Sequence, residues 1–316
     1  MQGIKIIATG RALPAYILTN DKLSETVDTS DEWIVTRTGI KQRHICKGEE
    51  NCATLAIEAA KKAVSKAVAE AGIKTEEIGV VIVATSSAEY AFPSTACLVQ
   101  KALGLSEETM SFDLTAACSG FLYGLNTCRG LLMTTGKKYA LLVGSEQLSR
   151  ITDFTDRSSC ILFGDGSGAA VLELCDEQFV HRAWSDGNKE LLWCKGAGYD
   201  GAKLAMDGKE VFKFAVKVLK QGVDTVLEEA GLTIDDVDYI VCHQANRRII
   251  EHVMKKYPEA EDKFYINIQD YANTSAASIP IALDEMFEKQ LLKKGMKVVM
   301  VGFGAGLTWS SALMTI

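Results

Sequence analysis

The chain repeats itself at an offset of 159 residues. "EAGIKTEEIGVVIVA", Glu70 to Ala84, lies over "EAGLTIDDVDYIVCH", Glu229 to His243. Each reads as a helix end closed by Gly72 or Gly231, a short acidic link and then an apolar strand. The same offset carries "TAACS", Thr115 to Ser119, onto "TSAAS", Thr274 to Ser278, and Gly136 and Lys138 onto Gly295 and Lys297. Each copy closes in a glycine-rich turn that feeds a last strand, "FGDGSGAAVLEL" at 163–174 and "FGAGLTWSSALM" at 303–314. Such a chain is expected to fold as two copies of one unit, here 1–174 and 175–316. Ser145 to Leu162 has no counterpart in the second copy.

Helical patterns such as 53–72 and 210–231 alternate with short, wholly apolar strands, the mark of sheets covered on both faces. Two stacked α/β halves follow, and their pseudo-twofold relation should bring equivalent loops together. At 316 residues, 47% hydrophobic and 24% charged, the composition is that of a globular protein with a substantial core. No apolar run reaches the ~18 residues a membrane helix needs, and the N-terminal apolar stretch is too short for a signal peptide. The expectation is a soluble chain of the cytoplasm. Nine cysteines without a CxxC pair, beside only four histidines, suit reduced thiols better than disulfides or a metal site. A net charge of −7 argues against general nucleic-acid binding.

In "DLTAACSGFLYGL", small residues around Cys118 allow a sharp turn from strand into helix. A thiol at a helix start is expected to have a lowered pKa, because free N–H groups and the helix dipole favour an anion. A buried structural cysteine is the ordinary alternative. "CHQANRRI" sets His243 just past a strand, where it reads either as a group projecting into a crevice or as a hydrogen-bonded core residue. "YANTSAAS" offers Asn273, or simply a turn before a helix. "GFGAGLTW", 302–309, offers backbone N–H groups that can approach a ligand closely, or a tightly packed turn.

Taken with "TSDEWIVTRTGI" (29–40), "AFPSTAC" and "GDGSGAAV", these ordered motifs resemble the β-ketoacyl-acyl carrier protein synthase III family over nearly the whole chain. The resemblance implies an α/β thiolase-like fold, with duplicated halves in α-β-α-β-α layers. It implies Cys118, His243 and Asn273 as a catalytic triad, with an oxyanion hole from the backbone N–H groups of Cys118 and Ala305. The implied reaction passes a short acyl group from coenzyme A to Cys118, then condenses it with malonyl-acyl carrier protein as carbon dioxide leaves. No metal or redox cofactor is implied; acyl-coenzyme A is a substrate. A related condensing enzyme of polyketide or secondary metabolism is the alternative. Two positions depart from the commonest family pattern, Ala272 and Ala305, each standing where glycine is frequent, and each could alter the pocket's shape.

Trp33 and Arg37 fall on one side of a predicted helix. The resemblance assigns both, with Arg157, to coenzyme A: Trp33 and Arg157 flank the adenine and Arg37 faces phosphate. A basic stripe, Lys209, Lys213, Lys217 and Lys220, with Arg247, Arg248, Lys255 and Lys256, reads as a solvated face or as a dock for an acidic carrier protein. Arg248, Lys213, Lys255 and Lys256 are the docking candidates. The resemblance also implies a homodimer in which Phe92 lines the acyl pocket of the other subunit.

Overall fold

A computed structural model of the chain describes residues 2–196 and 203–316. Five strands, β1 (Gly3–Ala12), β2 (Ile78–Ala84), β3 (Met110–Leu114), β4 (Tyr139–Glu146) and β5 (Gly166–Cys175), form one sheet in the order β1-β5-β4-β2-β3. Five more, β6 (Phe179–Asn188), β7 (Tyr239–Cys242), β8 (Phe264–Tyr265), β9 (Lys297–Gly304) and β10 (Gly306–Thr315), form a second in the order β6-β10-β9-β7-β8. The two orders are the same order. In both, the three strands at one edge run parallel and the other two pair antiparallel. The boundary expected after Leu174 falls at the last residues of β5.

The main helices are α1 (Asp31–Thr38), α2 (Cys52–Ala71), α3 (Thr95–Leu103), α4 (Gly120–Thr135), α5 (Gly208–Ala230), α6 (Arg247–Met254) and α7 (Ser278–Glu288). Asn51 caps α2 and Asp207 caps α5 by accepting from backbone N–H groups of the first turn. Gly72 and Gly231, both in the left-handed region at φ 68°, end them, as the repeat predicts.

Strand alternation decides the layers, because successive side chains of one strand serve opposite faces. Val80 and Ile82 of β2 face inward with Leu142 of β4, onto Phe121 and Leu125 of α4 and Leu283 and Met286 of α7. Val81 and Val83 face outward onto Ala56 and Ala60 of α2 and Val99 of α3. In the second sheet Val241 and Met300 point to the same central helices, whereas Ile240 and Val299 meet Leu219 of α5 and Ile250 of α6. The stack is therefore α-β-α-β-α. The inner strands β2 and β4 are buried along their whole length, which is why they read as unbroken apolar runs.

The repeat slips by one residue inside the fold. Ala117 (φ 46°) and Ser275 (φ 50°) are the matching left-handed residues, and β4 and β9 begin at Tyr139 and Lys297, so the offset there is 158. Cys118 thus corresponds to Ala276, where the sequence pairing put Ala277. Each turn crosses onto a strand of the other half. A Cβ on Gly304 of β9 would come within 2.7 Å of Cys118 N, and one on Gly144 of β4 within 2.2 Å of Ala276 O. Only glycine allows those approaches.

Candidate active site

Cys118 sits in a single helical turn, Ala117–Ser119, that leads into α4. His243 directly follows β7 and is held to β9 by its backbone N–H on Val301 O at 2.8 Å. Asn273 is clamped on both sides of its backbone: its N–H donates to Leu162 O (2.9 Å) and its carbonyl accepts from Gly164 N–H (3.0 Å). All three line one cavity of about 920 Å³, together with Phe303, Gly304 and Ala305 of the glycine-rich turn. The same cavity reaches Arg37, Phe212 and Asn246.

The imidazole of His243 is buried, which pushes its pKa down to about 3 and keeps the ring neutral. Its Nδ1 lies 2.7 Å from Ser278 Oγ, and that hydroxyl accepts from Gln244 N–H at 3.4 Å. With Gln244 N–H filling one lone pair, the hydroxyl is free to donate to Nδ1, and in that tautomer the ring proton sits on Nε2. Asn273 Oδ1 accepts from Ser275 N–H at 2.9 Å, so the amide's hydrogen-bond donor is its Nδ2.

The lowered thiol pKa expected from the sequence is not found. Burial pushes the Cys118 thiol up to about 12, the Ser275 hydroxyl pulls it partly back, and the carboxyl of Glu146 pushes it further up. The helix start is outweighed because the turn is enclosed by the other half, a contact that no local pattern reveals. This shift favours the protonated thiol at neutral pH.

The two alanine departures resolve differently. Ala305 lines the cavity and keeps a negative φ, so its Cβ adds no backbone strain. Ala272 has φ 58° and ψ −160°, a region that belongs to glycine. Its methyl packs with Ile34, Ile40, Ile161 and Ile268 and is not part of the cavity wall, which corrects the expectation that it alters the pocket. Its effect is strain in the backbone just before Asn273.

At the outer end, Arg37 and Arg157 both stack on Trp33, with guanidinium carbons 4.4 and 4.8 Å from the ring centre. Asn246 Nδ2 donates to Arg37 O at 3.1 Å, which ties α1 to the loop beyond His243. Of the docking candidates, Lys213 is already paired with Glu210 at 2.7 Å. Arg248 lies over Phe212 at 5.9 Å, and Lys255 and Lys256 are exposed. Phe92 is 86% exposed and lies outside the cavity wall. Reading the sequence missed Ser278, Ser275 and Glu146. The last had a visible signal, as the one charge in the otherwise uncharged strand "YALLVGSE".

A stacked duplicate of one α/β unit, with a cysteine on its central turn, defines an enzyme of the thiolase fold. Family models described as 3-oxoacyl-[acyl-carrier-protein (ACP)] synthase III and its C-terminal part match residues 112–187 and 227–316. The Clostridium acetobutylicum protein named beta-ketoacyl-[acyl-carrier-protein] synthase III is 48% identical over 327 residues, covering 99% of both chains. The crystal structure of 3-oxoacyl-[acyl-carrier-protein] synthase III from Aquifex aeolicus superposes with a TM-score of 0.92 at 42% identity, over 99% of this chain and 100% of that one. The priming β-ketosynthase of the R1128 polyketide pathway also reaches 0.92, at 30% identity, over 100% of this chain and 96% of that one. The chain belongs to the β-ketoacyl-acyl carrier protein synthase III family, an acyltransferase class of enzyme.

Proposed function

We propose that this chain catalyses the condensation that starts fatty acid synthesis, with an acyl-coenzyme A starter and malonyl-acyl carrier protein as substrates and Cys118 as the acyl carrier between them. The observation that carries this reading is the single cavity of about 920 Å³ whose wall includes Cys118, His243 and Asn273 and which extends to Arg37. The nucleophile belongs to the half 1–174 and the two donors to the half 175–316.

In the first half-reaction Cys118 Sγ attacks the acyl carbonyl, the carbon–sulfur bond to coenzyme A breaks, and the thiol proton ends on the departing sulfur. The backbone N–H groups of Cys118 and Ala305 meet the oxyanion, each such donor being worth ~3 kcal/mol. In the second, malonyl thioester loses carbon dioxide and places negative charge on its thioester oxygen. His243 Nε2–H and Asn273 Nδ2–H meet that charge, and the enolate carbon attacks the acyl-Cys118 carbonyl. The thiolate leaves and takes up a proton from solvent. The charges arise on oxygen and are met by N–H donors, so the chemistry calls for no metal or redox group.

Trp33 and Arg157 are the faces between which an adenine would lie. Two stacked contacts of about 3.5 Å need ~7 Å, so the exposed Arg157 swings away from its 4.8 Å contact as coenzyme A enters. Arg248, with Lys255 and Lys256 beside it, is the dock for an acidic carrier, with Lys213 secondary because Glu210 neutralises it. Phe92, an aromatic ring left in water, fits a homodimer in which a second copy covers it and takes it into its acyl pocket. We place the enzyme in the cytoplasm; among the described residues no helix is long and apolar enough to cross a membrane.

Mass spectrometry tests the reading. Incubation with acetyl-coenzyme A should add one acetyl group at Cys118, and malonyl-acyl carrier protein should then discharge it as a 3-oxoacyl product. Cys118→Ser should do neither; turnover by that variant, or a label elsewhere, would refute the assignment.

A further inference from the structure

Glu146 ends β4 with no exposed surface, and no cation pairs with it among the described residues. Its carboxylate is instead surrounded by donors. Oε2 accepts from Ser87 Oγ at 2.5 Å and Ser86 N–H at 3.1 Å, and Oε1 from Ser275 Oγ at 2.9 Å. The backbone N–H of Ala276 lies near it and favours its charged form. Thr85 Oγ1 adds a longer contact to Oε2 at 3.4 Å. Burial pushes the carboxyl's pKa up, and these donors pull it back toward the charged form, which only accepts.

The internal duplication gives this arrangement a meaning. At the offset of 158, Glu146 corresponds to Gly304 and Ala276 to Cys118. The N–H of Cys118 borders the oxyanion hole beside Gly304 and Ala305. In the mirrored place, the N–H of Ala276 lies near the carboxyl of Glu146. The hole that receives a transient oxyanion in one copy is filled in the other by a side-chain carboxyl.

We propose that Glu146 is a positioning residue for the condensation half-reaction: the carboxyl in the mirrored hole locks Ser275 and Ala276, and the Ser275 N–H so fixed holds Asn273 Oδ1 with Nδ2 facing the cavity. Ser275 is held at φ 50°, a conformation that needs outside support in a non-glycine residue. Glu146 supplies that support from the opposite half of the molecule. The proposal rests on the reading of Asn273 as an oxyanion donor.

The test uses Glu146→Gln, Asn273→Ala and the double variant in the full-length enzyme, with Cys118 acetylation and malonyl-carrier decarboxylation timed separately. Glu146→Gln should lower kcat for decarboxylation tenfold or more with KM for the malonyl carrier within threefold, and acetylation should not slow, since losing the carboxyl charge only eases ionisation of the Cys118 thiol. The double variant should be no slower than Asn273→Ala, because both changes remove one function. Equal loss of both half-reactions, or multiplied losses in the double variant, overturns the proposal. Wild-type decarboxylation by Asn273→Ala alone overturns the donor reading beneath it, so the two failures are told apart. Should Glu146→Gln not fold, Ser275→Ala cuts the same link at its hydroxyl. Because that hydroxyl also acts on the Cys118 thiol, only the decarboxylation readout applies: it should fall tenfold or more with the same non-additivity against Asn273→Ala, and wild-type decarboxylation by Ser275→Ala overturns the proposal.

Discussion

His243 Nδ1 and Ser278 Oγ are 2.7 Å apart, and the hydroxyl is buried with the ring. When the hydroxyl donates across this contact, the ring presents Nε2–H to the cavity. Ser278→Ala should slow decarboxylation about tenfold, the scale of ~1.4 kcal/mol expected when a buried partner is lost, with Cys118 acetylation within threefold. Rapid-quench measurement of both steps checks this, and equal slowing of both would reduce Ser278 to a packing residue. Because burial keeps the ring neutral down to about pH 3, the acid limb of the decarboxylation rate should show no inflection near 6.5.

Cys118 is raised to about 12, so its thiolate fraction in the free enzyme should keep growing through pH 9. Iodoacetamide alkylation at this residue, followed by mass spectrometry, should accelerate steadily from pH 6 to 10. A plateau below pH 8 would mean a preformed thiolate. The same shift has a stability consequence. The folded state holds the proton more tightly than the unfolded chain, so this contribution is complete below pH 9 and is lost as pH rises from there toward 12. Cys118→Ser should flatten the alkaline decline in unfolding free energy.

Ala272 carries a side chain at φ 58° and ψ −160°. Relief of such strain is worth ~1–3 kcal/mol, and the extra freedom of unfolded glycine takes back up to ~1. Ala272→Gly should therefore stabilise the protein by about 1 kcal/mol in urea unfolding. Preference among acyl-coenzyme A chain lengths should not change, since the methyl is outside the cavity. A shifted preference would show that it reaches the acyl site.

Trp33 lies between Arg37 and Arg157, and on the proposed reading it acts on the nucleotide end of the donor. Loss of the ring should raise KM for acetyl-coenzyme A about tenfold, from ~1–1.5 kcal/mol of stacking. Acetyl-pantetheine has no adenine, and Trp33→Ala should treat it as the wild type does. Comparable losses on both donors would place the effect in the fold of α1 rather than in adenine binding.

The sequence by itself determined the duplication, the glycine-closed ends of α2 and α5, and the residues Cys118, His243 and Asn273 that share one cavity. These are properties of backbone preference, apolar period and family motif, which neighbouring residues encode. Only the tertiary structure decided the one-residue slip between the copies, the direction of the Cys118 shift, the inert place of the Ala272 methyl and the network around Glu146. Each depends on what the opposite half packs against a turn or strand end. Burial and the donors around a charge come from residues distant in the chain, as when Ser87 meets Glu146 across 59 positions and Ser275 meets it across 129. Chain neighbours fix how Cys118 turns; the enclosing half fixes whether it holds its proton.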